Sequence, residues 1–188
     1  MKIRILTLDD LVMYRDDIYQ CYQDNPQIID FQSPLYQNFE GIEDMLVSYV
    51  QSEQCYIDGI FDNDENYLYG FVIYESIRLT DDGNTAQLHI AISKDMWGKD
   101  FYPVYKRMIE ENLFNVLYAI IPACCRGAIG LCKRMGFKKT GYIPKTTPYK
   151  TLKGETKMFD EFIYVLEKKV ELSSTGSRIE DSTEDNFG

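Results

Sequence analysis

Three β-rich runs in close succession constrain this chain most: CYIDGIF (55–61), YLYGFVIYESIRL (67–79) and TAQLHIAI (85–92). The turn-forming stretches DNDEN and DDGN separate them, and runs joined in this way pair as an antiparallel meander of three strands. Ahead of the meander, KIRIL alternates like a short strand. Thr7 then stands before LDDLVMYRDDIYQCYQ with Asp10 three residues on, a variant of the capping box that opens a helix. Leu11, Tyr14, Ile18 and Cys21/Tyr22 fall on one face at helical spacing. NPQIIDFQSPLYQNFEG has two prolines and little periodicity, so it reads as a loop, and IEDMLVSYVQSE reads as a second short helix.

The second half changes character. FYPVYKRMIEENLF predicts a helix with Phe101, Val104/Tyr105, Met108 and Asn112 on one face. VLYAII is a short, wholly apolar strand, the pattern expected when both sheet faces are covered. CRGAIGLCKRM predicts a helix that turns Ala128, Leu131/Cys132 and Met135 inward and stops at Gly136. FKKTGYI and MFDEFIYVLEK supply two more strands, joined by the polar stretch PKTTPYKTLKGETK. From Glu171 onward the chain is rich in Ser, Thr and acids and nearly free of core residues. Residues 1–170 are therefore expected to form one domain, and residues 171–188 an acidic tail that is disordered or ordered only by a partner.

Charge excludes some functions. The net charge of −10 argues against nonspecific affinity for nucleic acid or acidic lipid, which depends on neutralising phosphates. It suits a protein partner or a small ligand held by local groups. No apolar run approaches the roughly 20 residues that span a bilayer. The N-terminus reads as neither a signal nor a transit peptide, so the expected location is the cytoplasm. The five cysteines have no disulfide-framework spacing. A zinc site at Cys124, Cys125 and Cys132 lacks a nearby fourth ligand, because the single histidine, His89, lies far upstream. Free thiols in a reducing compartment are expected.

The order strand, helix, helix, meander, helix, strand, helix, two strands resembles the GNAT (Gcn5-related N-acetyltransferase) fold. LHIAISKDMWGKDFYPVYKRM and the ending KRMGFKKTG carry the resemblance, which runs from about Tyr67 to Glu167. It implies an α/β (α+β) architecture: a mixed, mostly antiparallel sheet of six to seven strands flanked by about four helices. It also implies acetyl-CoA as donor, with Ile90, Ile92, Trp97, Gly98, Lys99 and Cys125 at the cofactor positions. Cys125 stands where the family has an asparagine, and Cys132 where it often has a tyrosine general acid. His89 is the candidate base, on the strand that forms the substrate-facing wall. Glu75, on the preceding strand, is a lesser candidate that reads as a solvent-facing charge.

The family's loop departs from its pattern here. Glycines let a diphosphate approach the backbone at a helix N-terminus. In this chain Asp100 and Tyr102 occupy two of the small positions, and Pro103 removes an N–H. Asp100 is a good N-cap residue able to satisfy the donors a phosphate would use. Two functional readings lead, ahead of a plain adaptor that uses its acidic tail to engage a basic partner. One is a non-catalytic protein with no cofactor, similar to the GNAT-like internal virion and head-assembly proteins of short-tailed bacteriophages and acting through contact with a virion or host protein. The other is an active acyl-CoA-dependent N-acyltransferase with an altered loop, the donor's pantetheine arm entering a V-shaped opening between LHIAI and VLYAII.

Overall fold

The computed structural model describes residues 1–25, 39–80, 83–97, 101–150 and 155–168. The expected acidic tail, residues 26–38 of the expected loop, and Gly98, Lys99 and Asp100 lie outside the described residues. In chain order the elements are β1 (Lys2–Ile5), α1 (Leu8–Met13), α2 (Arg15–Asp24), α3 (Phe39–Val50), β2 (Tyr56–Phe61), β3 (Leu68–Arg78) and β4 (Thr85–Ile92). A 3₁₀ turn (Lys94–Met96) follows, then α4 (Phe101–Glu111), β5 (Val116–Pro122), α5 (Arg126–Arg134), β6 (Lys138–Lys150) and β7 (Thr156–Glu167). The strands form one sheet in the order β1-β2-β3-β4-β5-β7-β6. Every pair is antiparallel except β4 with β5.

Thr7 opens α1 as the sequence predicts. Its hydroxyl accepts from the Asp10 N–H at 3.3 Å, and the Asp10 carboxylate accepts from the Thr7 N–H at 2.8 Å. Arg4 grips the same carboxylate with two nitrogens, at 2.7 and 2.8 Å. This ties β1 to the first helix. The single helix expected over residues 8–23 is two helices. Tyr14 leaves helical geometry because its ring packs on Phe61 and its hydroxyl donates to the Glu65 carbonyl. The predicted face survives the break: Leu11, Tyr14, Ile18, Cys21 and Tyr22 are all buried.

Two cores lie on opposite faces of the sheet. One packs α1, α2 and α3 residues on Ile57, Phe61, Phe71, Ile73 and Ala91, and draws nothing from β5, β6 or β7. The other packs α4 and α5 residues on Ile60, Val72, Tyr74, Leu88, Leu117, Ala119, Ile121 and Tyr164, and so spans both halves of the sheet. This explains a departure at β5, which the sequence presents as covered on both faces. Leu117, Ala119 and Ile121 are buried under α4 and α5, while Val116, Tyr118 and Ile120 on the other face are only half-buried.

The helices depart in detail. Ile109, not Asn112, completes the buried stripe of α4 with Phe101, Tyr105 and Met108. Asn112 folds back to donate to the Met108 and Ile109 carbonyls and closes the helix. On α5 Cys132 is buried, Leu131 and Met135 are half-buried, and Ala128 is exposed. Gly136 ends α5 at φ +88, with its N–H on the Lys133 carbonyl and the Phe137 N–H on that of Cys132. That is the paired closure of a Schellman turn, where glycine avoids the Cβ penalty of positive φ. The stretch expected to link the last two strands is largely strand, because β6 continues to Lys150 with irregular register between Ile143 and Thr147.

Arg4 and the Thr7 groups hold the Asp10 carboxyl at about 2, against an ordinary value of 3.8. A carboxyl depressed in the folded state contributes stability that is present above its unfolded value and lost as pH falls through its folded one. We therefore expect wild type to lose more stability than Asp10→Asn between pH 4 and pH 2, and Asp10→Ala to cost on the order of 2 kcal/mol at neutral pH. Urea denaturation across that range checks both, and parallel curves would count against the assignment.

Candidate functional site

Parallel pairing of β4 with β5 covers only Thr85–Gln87 against Val116–Tyr118. Beyond it β4 runs on to Ile92 and β5 to Pro122 without pairing each other. The sheet therefore opens between them, and among the described residues the β5-facing edge of β4 beyond Gln87 has no ladder partner. The closed end of this opening is pinned. Asn84 donates its N–H to the Asn115 side chain, and its carbonyl accepts from the Asn115 and Val116 N–H groups. Lys168 donates its backbone N–H to Asn115 and its ammonium to the Ile109 and Asn112 carbonyls at the end of α4. A cation there complements the negative end of the helix. At the open end Asn25, closing α2, donates to the Ile92 carbonyl at 2.6 Å, and the Asp24 carboxylate accepts the Lys94 N–H at 2.7 Å.

His89, on the strand that borders this opening, heads a hydrogen-bonded chain on the α3 face of the sheet. His89 Nε2 lies 2.7 Å from Glu75 Oε1, and the Tyr49 hydroxyl donates to Glu75 Oε2 at 2.7 Å. An ionised carboxylate only accepts, so Nε2 carries the proton and donates it to Glu75. The Gln87 amide also lies 2.9 Å from Nε2. The Gln87 nitrogen is the atom placed there, so the amide has to turn over if its oxygen is to accept from that N–H. In the neutral ring this leaves the lone pair on Nδ1, and no described residue hydrogen-bonds that nitrogen. The imidazole's hydrogen bond, foremost, and that of Tyr49 hold Glu75 below the usual carboxylate range, against the opposing effect of burial. His89 is 40% exposed and Glu75 19%, so the base candidate meets solvent while its partner is shielded.

The reading of Glu75 as a solvent-facing charge is corrected by this geometry. A strand irregularity supplies the reason. The β3–β4 register is regular to Glu75↔Gln87 and then skips to Arg78↔Thr85, which leaves one extra residue on β3. Ser76 sits in that bulge at φ 53, a left-handed conformation rare for a residue with a Cβ. Glu75 reaches His89 diagonally from the last regular rung. The sequence offers no glycine to signal the bulge.

The other predicted site residues fall elsewhere. Ile90 and Ile92 turn their side chains to the α4 core, so on β4 it is the backbone that borders the opening. Trp97 ends the 3₁₀ turn and is exposed, whereas Gly98 and Lys99 are not among the described residues. Cys125 precedes α5 with no side-chain capping bond, and Cys132 is buried in the α4–α5 core. Burial pushes the Cys132 thiol up to about 12, which suits a packing group better than a proton donor. Tyr102, expected to crowd the helix mouth, lies instead against α5: the Arg134 guanidinium stacks 4.0 Å from its ring centroid.

No protein-family model and no curated protein sequence matches this chain. Solved structures do. It is similar to spermidine N-acetyltransferase from Vibrio cholerae in complex with CoA and spermine (18% identity, 89% of this chain and 95% of that one, TM-score 0.67). It is also similar to a putative phosphinothricin N-acetyltransferase (17% identity, 89% and 98% covered, TM-score 0.65). A third is ribosomal-protein-S5-alanine acetyltransferase from Vibrio fischeri (15% identity, 89% and 93% covered, TM-score 0.60). The fold is that of the GNAT acetyltransferases. This agrees with the architecture expected from the sequence, with five α-helices among the described residues where about four were expected. None of these structures bears on the expected phage link.

Left-handed geometry at a residue with a side chain costs about 1 kcal/mol. Ser76→Gly is expected to raise stability by up to that amount. Ser76→Val should lower it by at least as much, since β-branching worsens the strain. Chemical denaturation of both variants checks this, and a stabilising valine would exclude the left-handed assignment.

Proposed function

We propose that the chain is an acyl-CoA-dependent N-acyltransferase in which His89 is the general base. The observation that carries this reading is the 2.7 Å contact of His89 Nε2 with Glu75, on the strand that borders the gap in the sheet. The GNAT fold supports it.

The gap fits an acyl-CoA on its own terms. Buried backbone groups without partners are costly, so an unpaired strand edge favours a ligand carrying amides. The backbone of His89, Ile90 and Ala91 would hold the pantetheine arm, with Trp97 near its outer end. The donor supplies a thioester carbonyl that a neutral amine attacks, with the thiol as leaving group.

The protein's own groups prepare the amine. An ammonium acceptor must lose a proton before it has a lone pair, and Nδ1 of His89 takes that proton. Glu75 stabilises the imidazolium that results and keeps the ring from turning over. Tyr49 holds the far oxygen of Glu75, so the carboxylate has one orientation rather than several. A net charge of −10 draws cationic acceptors toward the molecule.

Acetyl-CoA-dependent thiol release with primary amines tests the reading. His89→Ala should lower kcat by about 10²-fold or more while leaving CoA affinity by calorimetry unchanged. Glu75→Gln removes the partner that stabilises the imidazolium, so the acid limb of its pH–rate profile should move to lower pH. Failure of the wild-type chain to bind CoA, or equal rates with and without His89, would overturn the proposal.

A further inference from the structure

Cys124 and Cys125 have no part in the chemistry above, and they are adjacent in the turn between β5 and α5. Cys125 donates its N–H to the Pro122 carbonyl at 2.9 Å, and the Arg126 N–H returns to the Cys124 carbonyl at 2.9 Å. With φ −81 and ψ 67, Cys125 is the centre of an inverse γ-turn. The turn is anchored on both sides, since the Cys125 carbonyl also accepts the first α-helical bond, from Ile129. Both thiols are free and half-buried. Burial, foremost, and the neighbouring Cys124 push the Cys125 thiol up to about 12, so it stays protonated near neutral pH.

Three features narrow what such a pair takes. First, neighbouring Cα atoms across a trans peptide are about 3.8 Å apart, short of the roughly 4.4 Å at which ordinary disulfides begin. Direct oxidation to a bridge is therefore strained, whereas an atom inserted between the sulfurs holds them further apart. Second, the described residues contain no cluster of three or more His, Cys, Asp or Glu side chains, so the pair lacks the extra ligands a zinc-like cation needs. Third, α5 carries Arg126, Lys133 and Arg134 and no acid, a poor setting for a free divalent cation. The occupant that meets all three conditions is neutral, brings its own third substituent and needs two thiols.

We propose that Cys124 and Cys125 form a chelating site for monosubstituted trivalent arsenicals. The reaction is a condensation. Each S–H exchanges with one hydroxyl of R–As(OH)₂, forming two As–S bonds, breaking two As–O bonds and releasing two waters. Arsenic remains trivalent, no oxidant takes part, and no charge is left on the half-buried sulfurs. The site stands independently of the acyltransferase reading.

Phenylarsine oxide in the presence of excess 2-mercaptoethanol tests it, because a monothiol strips single-sulfur adducts and leaves chelates. The full-length chain should gain one phenylarsenic group by intact mass and lose two titratable thiols, with the adduct mapping to the peptide that holds both cysteines. Cys124→Ser and Cys125→Ser should each abolish the stable adduct, while Cys55→Ser, which changes another half-exposed thiol, should retain it. An adduct removed by the monothiol, one that persists in either serine variant, or none at all in wild type would overturn the proposal. The wild-type mass and thiol count decide the matter even if a serine variant fails to fold.

Discussion

The short parallel contact between β4 and β5 is the constraint on which the rest of the molecule depends. Three paired positions join a four-stranded half-sheet to a three-stranded one. A continuous ladder would weld the halves and leave nothing between them. By stopping at Gln87 and Tyr118, the ladder frees backbone on β4 in a partly sheltered place. The asparagine exchange at Asn84 and Asn115 and the ammonium of Lys168 then concentrate rigidity at one end. Among the described residues, cohesion between the halves falls mainly to the core under α4 and α5, which reaches across the gap.

Much of this was legible in the sequence because it is local. The capping pattern at Thr7 and Asp10, the turn residues between β2, β3 and β4, and the glycine after α5 each act within a few residues. What was not legible depends on register. Glu75 and His89 are fourteen positions apart, and their contact follows from an extra residue at Ser76 that no glycine advertises. Periodicity placed Ala128 inward, yet α5 meets the core with Cys132 and, in part, Ile129 and the expected Leu131. The apolar run of β5 looked doubly covered because sequence hydrophobicity does not say which helices cross which half of a sheet.

A side chain singled out in the sequence can be placed by a neighbour that the sequence does not reveal. Tyr102 has a large ring at a position where a phosphate wants open backbone. The guanidinium of Arg134, thirty-two residues on, draws that ring onto the next helix. Such a contact between residues far apart in the chain has no signature in a local window. The same holds for Tyr49, whose hydroxyl completes the histidine–carboxylate chain from a helix on the first half of the sequence.

Among the described residues, strand β6 closes the sheet with thirteen residues and no strand beyond it. A margin of that length invites another polypeptide to add itself and extend the ladder. Here Pro144 and Pro148 interrupt the row of donors, and the exposed Lys138, Lys139 and Lys145 oppose a second margin of like charge. Both features disfavour a second strand along this margin.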